Sequence, residues 1–281
     1  MGAPIHPPIP KGRSASSKHL AAALWGHWPE YLMEAAELGL FMVSATAVTA
    51  LLEHPASPLR RALPDAIGRR ALTGLAMGVT ALAITYSPLG QQSGAHFNPA
   101  VTLTFFRLGK IAGPDAVFYV LAQFAGGVAG VSLASLLIGS ALGHPSVNYV
   151  VTMPGPNGPW VAFGAEFLIS FLMITTVLTF SNSKRFTRWT PLIAGTLVTT
   201  FVSIEAPLSG MSMNPARTLG SAVSANQFSA LWVYFTAPVL GMLLAARIYV
   251  VRRGAHAIFC AKLHHDNNQR CIFRCNYGAL E

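Results

Sequence analysis

A chain of 281 residues with 19 Lys and Arg, 10 Asp and Glu, 52% hydrophobic residues and a mean hydropathy of +0.47 is charged at only 10% of its positions. A soluble globular domain carries roughly 25%, so the balance excludes a soluble enzyme, a disordered chain and a disulfide scaffold. Ala71–Phe106 holds no charged residue over 36 positions, Thr218–Ala246 none over 29, and Glu166 is the single charge between Asp115 and Lys184. Uncharged apolar runs of about 18 residues or more read as membrane-spanning helices.

In chain order, residues 1–29 are rich in Pro and His and lack the apolar centre of a cleavable signal. They read as a disordered arm. Spans are predicted over Glu30–Leu52, Arg70–Pro88, Asp115–Ile138, Trp160–Phe180, Thr190–Glu205 and Phe228–Val250. Six spans put both termini on one side, and that side then carries 14 of the 19 basic residues. Basic residues favour the cytoplasmic face, so both termini are expected inside a cell membrane. The connection 53–70, with four Arg, runs against this weakly. The net charge of +9 follows from this placement and does not call for nucleic acid. The uncharged, Pro- and Gly-rich stretch Gly143–Pro159 reads as a long outer loop. The segment 251–281 is a basic cytoplasmic tail holding Cys260, Cys271 and Cys275, expected to be reduced there.

Two apolar stretches do not fit simple spans. Ser93–Thr102 reads SGAHFNPAVT and Ser209–Thr218 reads SGMSMNPART: six of ten positions match, 116 residues apart. This is an internal duplication, with repeats at about 30–140 and 160–250. Each copy contains three spans, an odd number, so the second enters the bilayer inverted. Paired interrupted segments in inverted repeats point to a pathway at the membrane midplane. Asn before Pro is helix-start chemistry, because Asn caps the first turn and Pro there removes no needed donor. Each segment is therefore a loop running into a half-helix that begins at Asn98 or Asn214. Non-helical backbone at that depth must be buried in protein or line a cavity. The two half-helix N-termini meet, each with roughly half a positive charge, which repels cations and leaves Asn amide donors for a neutral solute.

The triplets Asn98-Pro99-Ala100 and Asn214-Pro215-Ala216, with Arg217 directly after the second, resemble those of aquaporins in the major intrinsic protein family. Ala122-Gln123 and Ala165-Glu166-Phe167 add to the likeness, which covers about residues 30–250. The resemblance implies an all-α integral membrane fold of six transmembrane helices plus two re-entrant half-helices. It also implies a passive channel for water, and for small uncharged solutes such as glycerol, that excludes protons and ions. Such a protein is not an enzyme, takes no cofactor and forms a homotetramer in the lipid bilayer.

The family's outer constriction falls on Met77, Val202, Met211 and Arg217, with Gly78 in place of Met77 if the first loop carries no extra residue. Water channels usually place an aromatic and a His there, and glycerol facilitators two aromatics; this chain has neither. Thr218, Ala222, Tyr234 and Phe235 resemble the water-type pattern. Glu37, or its neighbour Glu34, and Glu166 open corresponding helices and are expected, with Gln123, to support the loops by accepting N–H groups rather than relaying protons. Gly74/Gly78 and Gly126/Gly130 are small-residue pairs for close helix packing.

Two alternatives stand beside the channel. A secondary transporter shares inverted repeats but needs ionisable residues at its site, and Glu205 keeps that reading open. The second is a channel regulated by metal or redox chemistry at its Cys/His tail. Cys260, His264, His265, Cys271 and Cys275 form C-x3-HH-x5-C-x3-C, in which Cys260, His264, Cys271 and Cys275 are candidate zinc ligands, although the spacing matches no standard zinc motif.

Overall fold

The computed structural model describes residues 17–183 and 185–277. Its long helices are α1 (Ser17–Glu53), α2 (Ala66–Tyr86), α3 (Pro99–Arg107), α4 (Gly113–Ile138), α5 (Pro159–Ser181), α6 (Thr190–Ile204), α7 (Pro215–Ala225) and α8 (Leu231–Arg253). Five of these are long and apolar enough to cross a bilayer. The sixth span, α6, has only 15 residues, but turns at Thr187–Trp189 and Ala206–Ser209 extend it at both ends.

The packing has the symmetry expected of an inverted repeat. Helix α1 packs on α4 as α5 packs on α8, and the half-helices pack across the repeats, α3 on α8 and α7 on α4. Helices α2 and α6 pack on each other. Glycines permit this closeness. A Cβ at Gly126 would lie 2.1 Å from the Ala35 carbonyl oxygen, and one at Gly130 would lie 2.5 Å from that of Gly39, so only Gly fits on the α4 face against α1. Gly74 and Gly78 likewise face Ser203 and Thr199 of α6. Gly78 is therefore a packing residue, and Met77 is the one that faces the cavity.

The N-terminal arm requires a correction. Residues 17–29 are helical and continuous with α1, through Pro29; the arm's first 16 residues lie outside the described chain. Proline inside a helix forfeits one backbone bond. Here the loss is offset by Ala21–Leu24, which are good helix formers, and by side-chain ties. The Tyr31 hydroxyl donates to Asp115 of α4 at 2.6 Å and lies 3.1 Å from the Ala23 carbonyl, and His27 Nδ1 lies 2.7 Å from the same carboxylate. At 37 residues α1 is about 55 Å long, well beyond the ~30 Å hydrocarbon core. Its exposed Trp25 and Trp28 are residues favoured at a membrane interface.

The Arg-rich outer connection also finds its place. Arg69 pairs with Glu53 at 3.1 Å, Arg60 reaches the same carboxylate at 3.6 Å, and Arg70 donates to the Ser203 carbonyl. Arg69 and Arg70, with Glu53, stand in the wall of the cavity.

Candidate functional site

Asn98 caps α3 by accepting from the Ala100 N–H at 2.9 Å, and Asn214 caps α7 by accepting from the N–H groups of Ala216 and Arg217. Each Asn then donates one amide proton to the opposite loop: Asn98 Nδ2 to the Met213 carbonyl and Asn214 Nδ2 to the Phe97 carbonyl, both at 2.8 Å. The two half-helices are thus tied to one another where their N-termini meet. An amide NH2 has two donors, so one on each Asn remains for a solute. Sequence symmetry extends to the backbone of the two loops. Gly94, Ala95 and Phe97 have φ of +99°, +57° and +29°, and their counterparts Gly210, Met211 and Met213 have +80°, +49° and +53°. Left-handed conformations at four non-Gly residues are uncommon and hold only where surroundings over-determine them.

Buried carboxylates supply that restraint. Glu166 Oε1 accepts from Ser212 N and Ser209 Oγ, and Oε2 from Met213 N, each at 2.7 Å. In the first repeat the equivalent group is Glu34, which accepts from His96 N at 2.9 Å and Phe97 N at 2.6 Å. Of the two carboxylates named from sequence, Glu37 takes the Ser93 hydroxyl at 2.6 Å, as Glu166 takes that of Ser209, and Glu34 takes the loop N–H groups. Gln123 joins the first-repeat network, donating to Glu34 at 2.6 Å and Thr102 at 3.0 Å. Sequence reasoning missed Tyr119, whose hydroxyl donates to the Ser93 carbonyl as that of Tyr234 donates to Ser209; the repeat symmetry was the signal that could have found it.

A cavity of about 470 Å³ runs past these residues. One end is walled by Glu53, Arg69 and Arg70. Met77, Val202, Met211 and Arg217 line it together with Asn98 and Asn214, and Thr85, Ala95 and His96 wall the end nearer the C-terminal tail. Arg217 is fixed by donation from Nη1 to the Val150 carbonyl at 2.8 Å, which holds the loop 143–159 against this part of the cavity wall. Thr218 bonds Thr152 of that loop at 2.8 Å and Ser212 at 2.6 Å. Ala222 is fully buried in packing. Phe235 is exposed on the outside of the bundle, stacked on Phe124, and the cavity wall does not include it. Glu205 is buried near the end of α6, and it too is absent from the cavity wall.

The tail is folded against the end of the cavity walled by Ala95 and His96. Leu263 N donates to the Gly94 carbonyl at 3.1 Å, His96 Nε2 donates to the Ala261 carbonyl at 2.8 Å, and Phe273 stacks on the His96 ring. Arg274 N donates to the Lys110 carbonyl, and Phe259 N to Asn182. Cys260, His265, Cys271 and Cys275 bring their donor atoms within 4.8 Å of one another. His264, the ligand expected from sequence, packs edge-on to Tyr86 instead, so His265 takes its place in the cluster. The neighbouring Cys260 thiol holds Cys271 down to about 4 and Cys275 to about 6, and is itself pushed up. Burial lowers the Lys262 ammonium while the adjacent cysteines raise it.

The Major intrinsic protein family model matches residues 24–249. Aquaporin NIP6-1 of Arabidopsis thaliana is 37% identical over 186 residues, 66% of this chain and 57% of that protein. Aquaporin NIP2-3 of Zea mays is 36% identical over 174 residues, 62% of this chain and 56% of that protein. The chain spans little more than half the length of these relatives. In fold, it resembles the aquaglyceroporin from Plasmodium falciparum with a TM-score of 0.64 at 19% identity, over 79% of this chain and 95% of that one. The inverted half-helices, their Asn caps and the matched span together make this multi-pass membrane chain a member of the major intrinsic protein family.

Proposed function

We propose that the chain is a passive channel for water, with small uncharged solutes such as glycerol as secondary cargo, and that it excludes protons and ions. One observation carries this reading. The cavity passes between two facing half-helix N-termini, and among the described residues the only charged wall residue apart from the cluster of Glu53, Arg69 and Arg70 is Arg217. A water at the meeting point accepts hydrogen bonds from Asn98 and Asn214 and turns its own hydrogens outward on either side. That breaks the chain of donors along which a proton would hop, and the positive helix ends add a barrier to cations. Met77, Val202 and Met211 contribute no hydrogen-bond donor of their own, so selection among neutral solutes falls to size and to Arg217.

A coupled transporter would place a titratable carboxylate on the pathway. Glu53, the carboxylate in the wall, is paired with Arg69 and Arg60 at one end of the cavity, Glu205 lies off the wall and Glu166 is engaged by loop donors, which favours passive passage. We further propose a homotetramer with one pore per chain in the cell membrane, both termini cytoplasmic. This follows from family membership and from the bias of basic residues to one side.

Stopped-flow light scattering on proteoliposomes tests the reading. Osmotic water flux above that of empty liposomes, with slower glycerol entry and no change on adding a protonophore, is expected. Solute uptake that collapses with the protonophore would establish coupled transport instead.

A further inference from the structure

We propose that Cys260, His265, Cys271 and Cys275 bind one zinc ion, and that the bound ion locks the tail as a plug over the inner mouth of the pore. The donor set is three thiols and one imidazole, which suits zinc and excludes the hard, oxygen-seeking cations. The cluster is already close to ligand geometry. Cys260 and Cys271 sulfurs lie 3.5 Å apart, and Cys275 Sγ lies 3.0 Å from His265 Nε2. A tetrahedral zinc with bonds of about 2.0–2.3 Å separates its ligand atoms by roughly 3.5–3.8 Å.

The surroundings fit a metal site as well. The His265 ring is stacked on Tyr277 at 4.2 Å, nearly parallel, which fixes the ring that presents Nε2 to the sulfurs. Three thiolates on a divalent ion leave one negative charge. The ammonium of Lys262, buried beside the cysteines and donating to the Gln269 carbonyl at 3.0 Å, balances it.

The link to the pore is structural. Residues 258–276 contain no helix or strand, so beyond the ties to Gly94, His96, Lys110 and Asn182 an internal cross-link would rigidify the segment, as metal does in other small irregular folds. That shape delivers Ala261 to His96 and Leu263 to Gly94, and Leu263 is the one described tail residue in the cavity wall. Loss of the ion frees the segment and with it Leu263. The plug half of the proposal rests on the channel reading; the zinc half does not.

The full chain, purified with zinc present, is expected to hold about one zinc per chain by elemental analysis. Cobalt in its place should give the intense visible bands of a tetrahedral thiolate site. His264→Ala should retain the metal, whereas His265→Ala should lose most of it. In proteoliposomes a bilayer-permeant zinc chelator should speed osmotic shrinkage several-fold, added zinc should reverse the gain, and a Cys271→Ser/Cys275→Ser chain should be fast throughout. A metal-free chain with three titratable thiols, or one with a Cys260–Cys271 disulfide, would overturn the site. Metal that binds without altering water flux would overturn the plug. No water flux from either the chelated protein or the double variant would sink the channel reading, and the plug with it, while the metal count still judges the zinc site.

Discussion

Replacing Arg217 by alanine is expected to raise glycerol flux relative to water flux several-fold and to introduce a measurable cation leak. The guanidinium stands in the cavity wall with Met77, Val202 and Met211, held by the Val150 carbonyl. At an effective dielectric near 20, a cation about 4 Å from it meets roughly 4 kcal/mol of repulsion, equivalent to about a thousandfold in rate. Alanine removes that barrier and vacates the guanidinium's volume. The positive ends of α3 and α7 remain, so the leak stays below that of an open aqueous pore. The cap on α7 is untouched, because Asn214 bonds the Arg217 backbone N–H and not its side chain. Water flux should therefore persist. Stopped-flow ratios of glycerol to water, with and without the substitution, check this; an unchanged ratio would place the constriction elsewhere.

Glu166→Ala acts on folding rather than on selection. It strands the Ser209 hydroxyl and the N–H groups of Ser212 and Met213 in a buried site. Each unpaired donor costs about 1–3 kcal/mol, in a loop that already holds Met211 and Met213 at positive φ. A combined loss of several kcal/mol lowers a melting temperature by roughly 10 °C or more in a chain of this size. Glu166→Gln should fall between, since its amide oxygen keeps two of the three bonds and its NH2 opposes the Met213 N–H. Thermal unfolding in detergent measures both. Equal melting temperatures for all three proteins would mean that the loop holds its shape without the carboxylate.

The repeated Asn-Pro pairs made the half-helices, their inversion and Arg217 legible, because capping chemistry and span counting are local properties. Glu34 was harder to single out. Glu30, Glu34 and Glu37 sit on one helical face at steps of four and three residues, and all three are fully buried. Periodicity marks that face without saying which carboxylate meets which loop. Richness in Pro and His makes all of residues 1–29 read as a disordered arm, and the bonds that carry α1 through Pro29 come from Tyr31 and Asp115, which composition does not reveal. The tail has no period to read at all. His264 and His265 are adjacent, and only the fold turns one toward Tyr86 and the other toward the sulfurs. Phe235 matched a family position, yet its place on the helix faces outward, a matter of rotation that a motif does not encode.

The central claim is that the junction of α3 and α7 passes water while breaking the path for protons. Proteoliposomes loaded with a pH-sensitive dye, given an osmotic gradient and a pH gradient together, measure both fluxes in one sample. Volume should relax within the stopped-flow record while the internal pH holds at the rate of protein-free liposomes. Internal pH that relaxes together with volume would contradict the account.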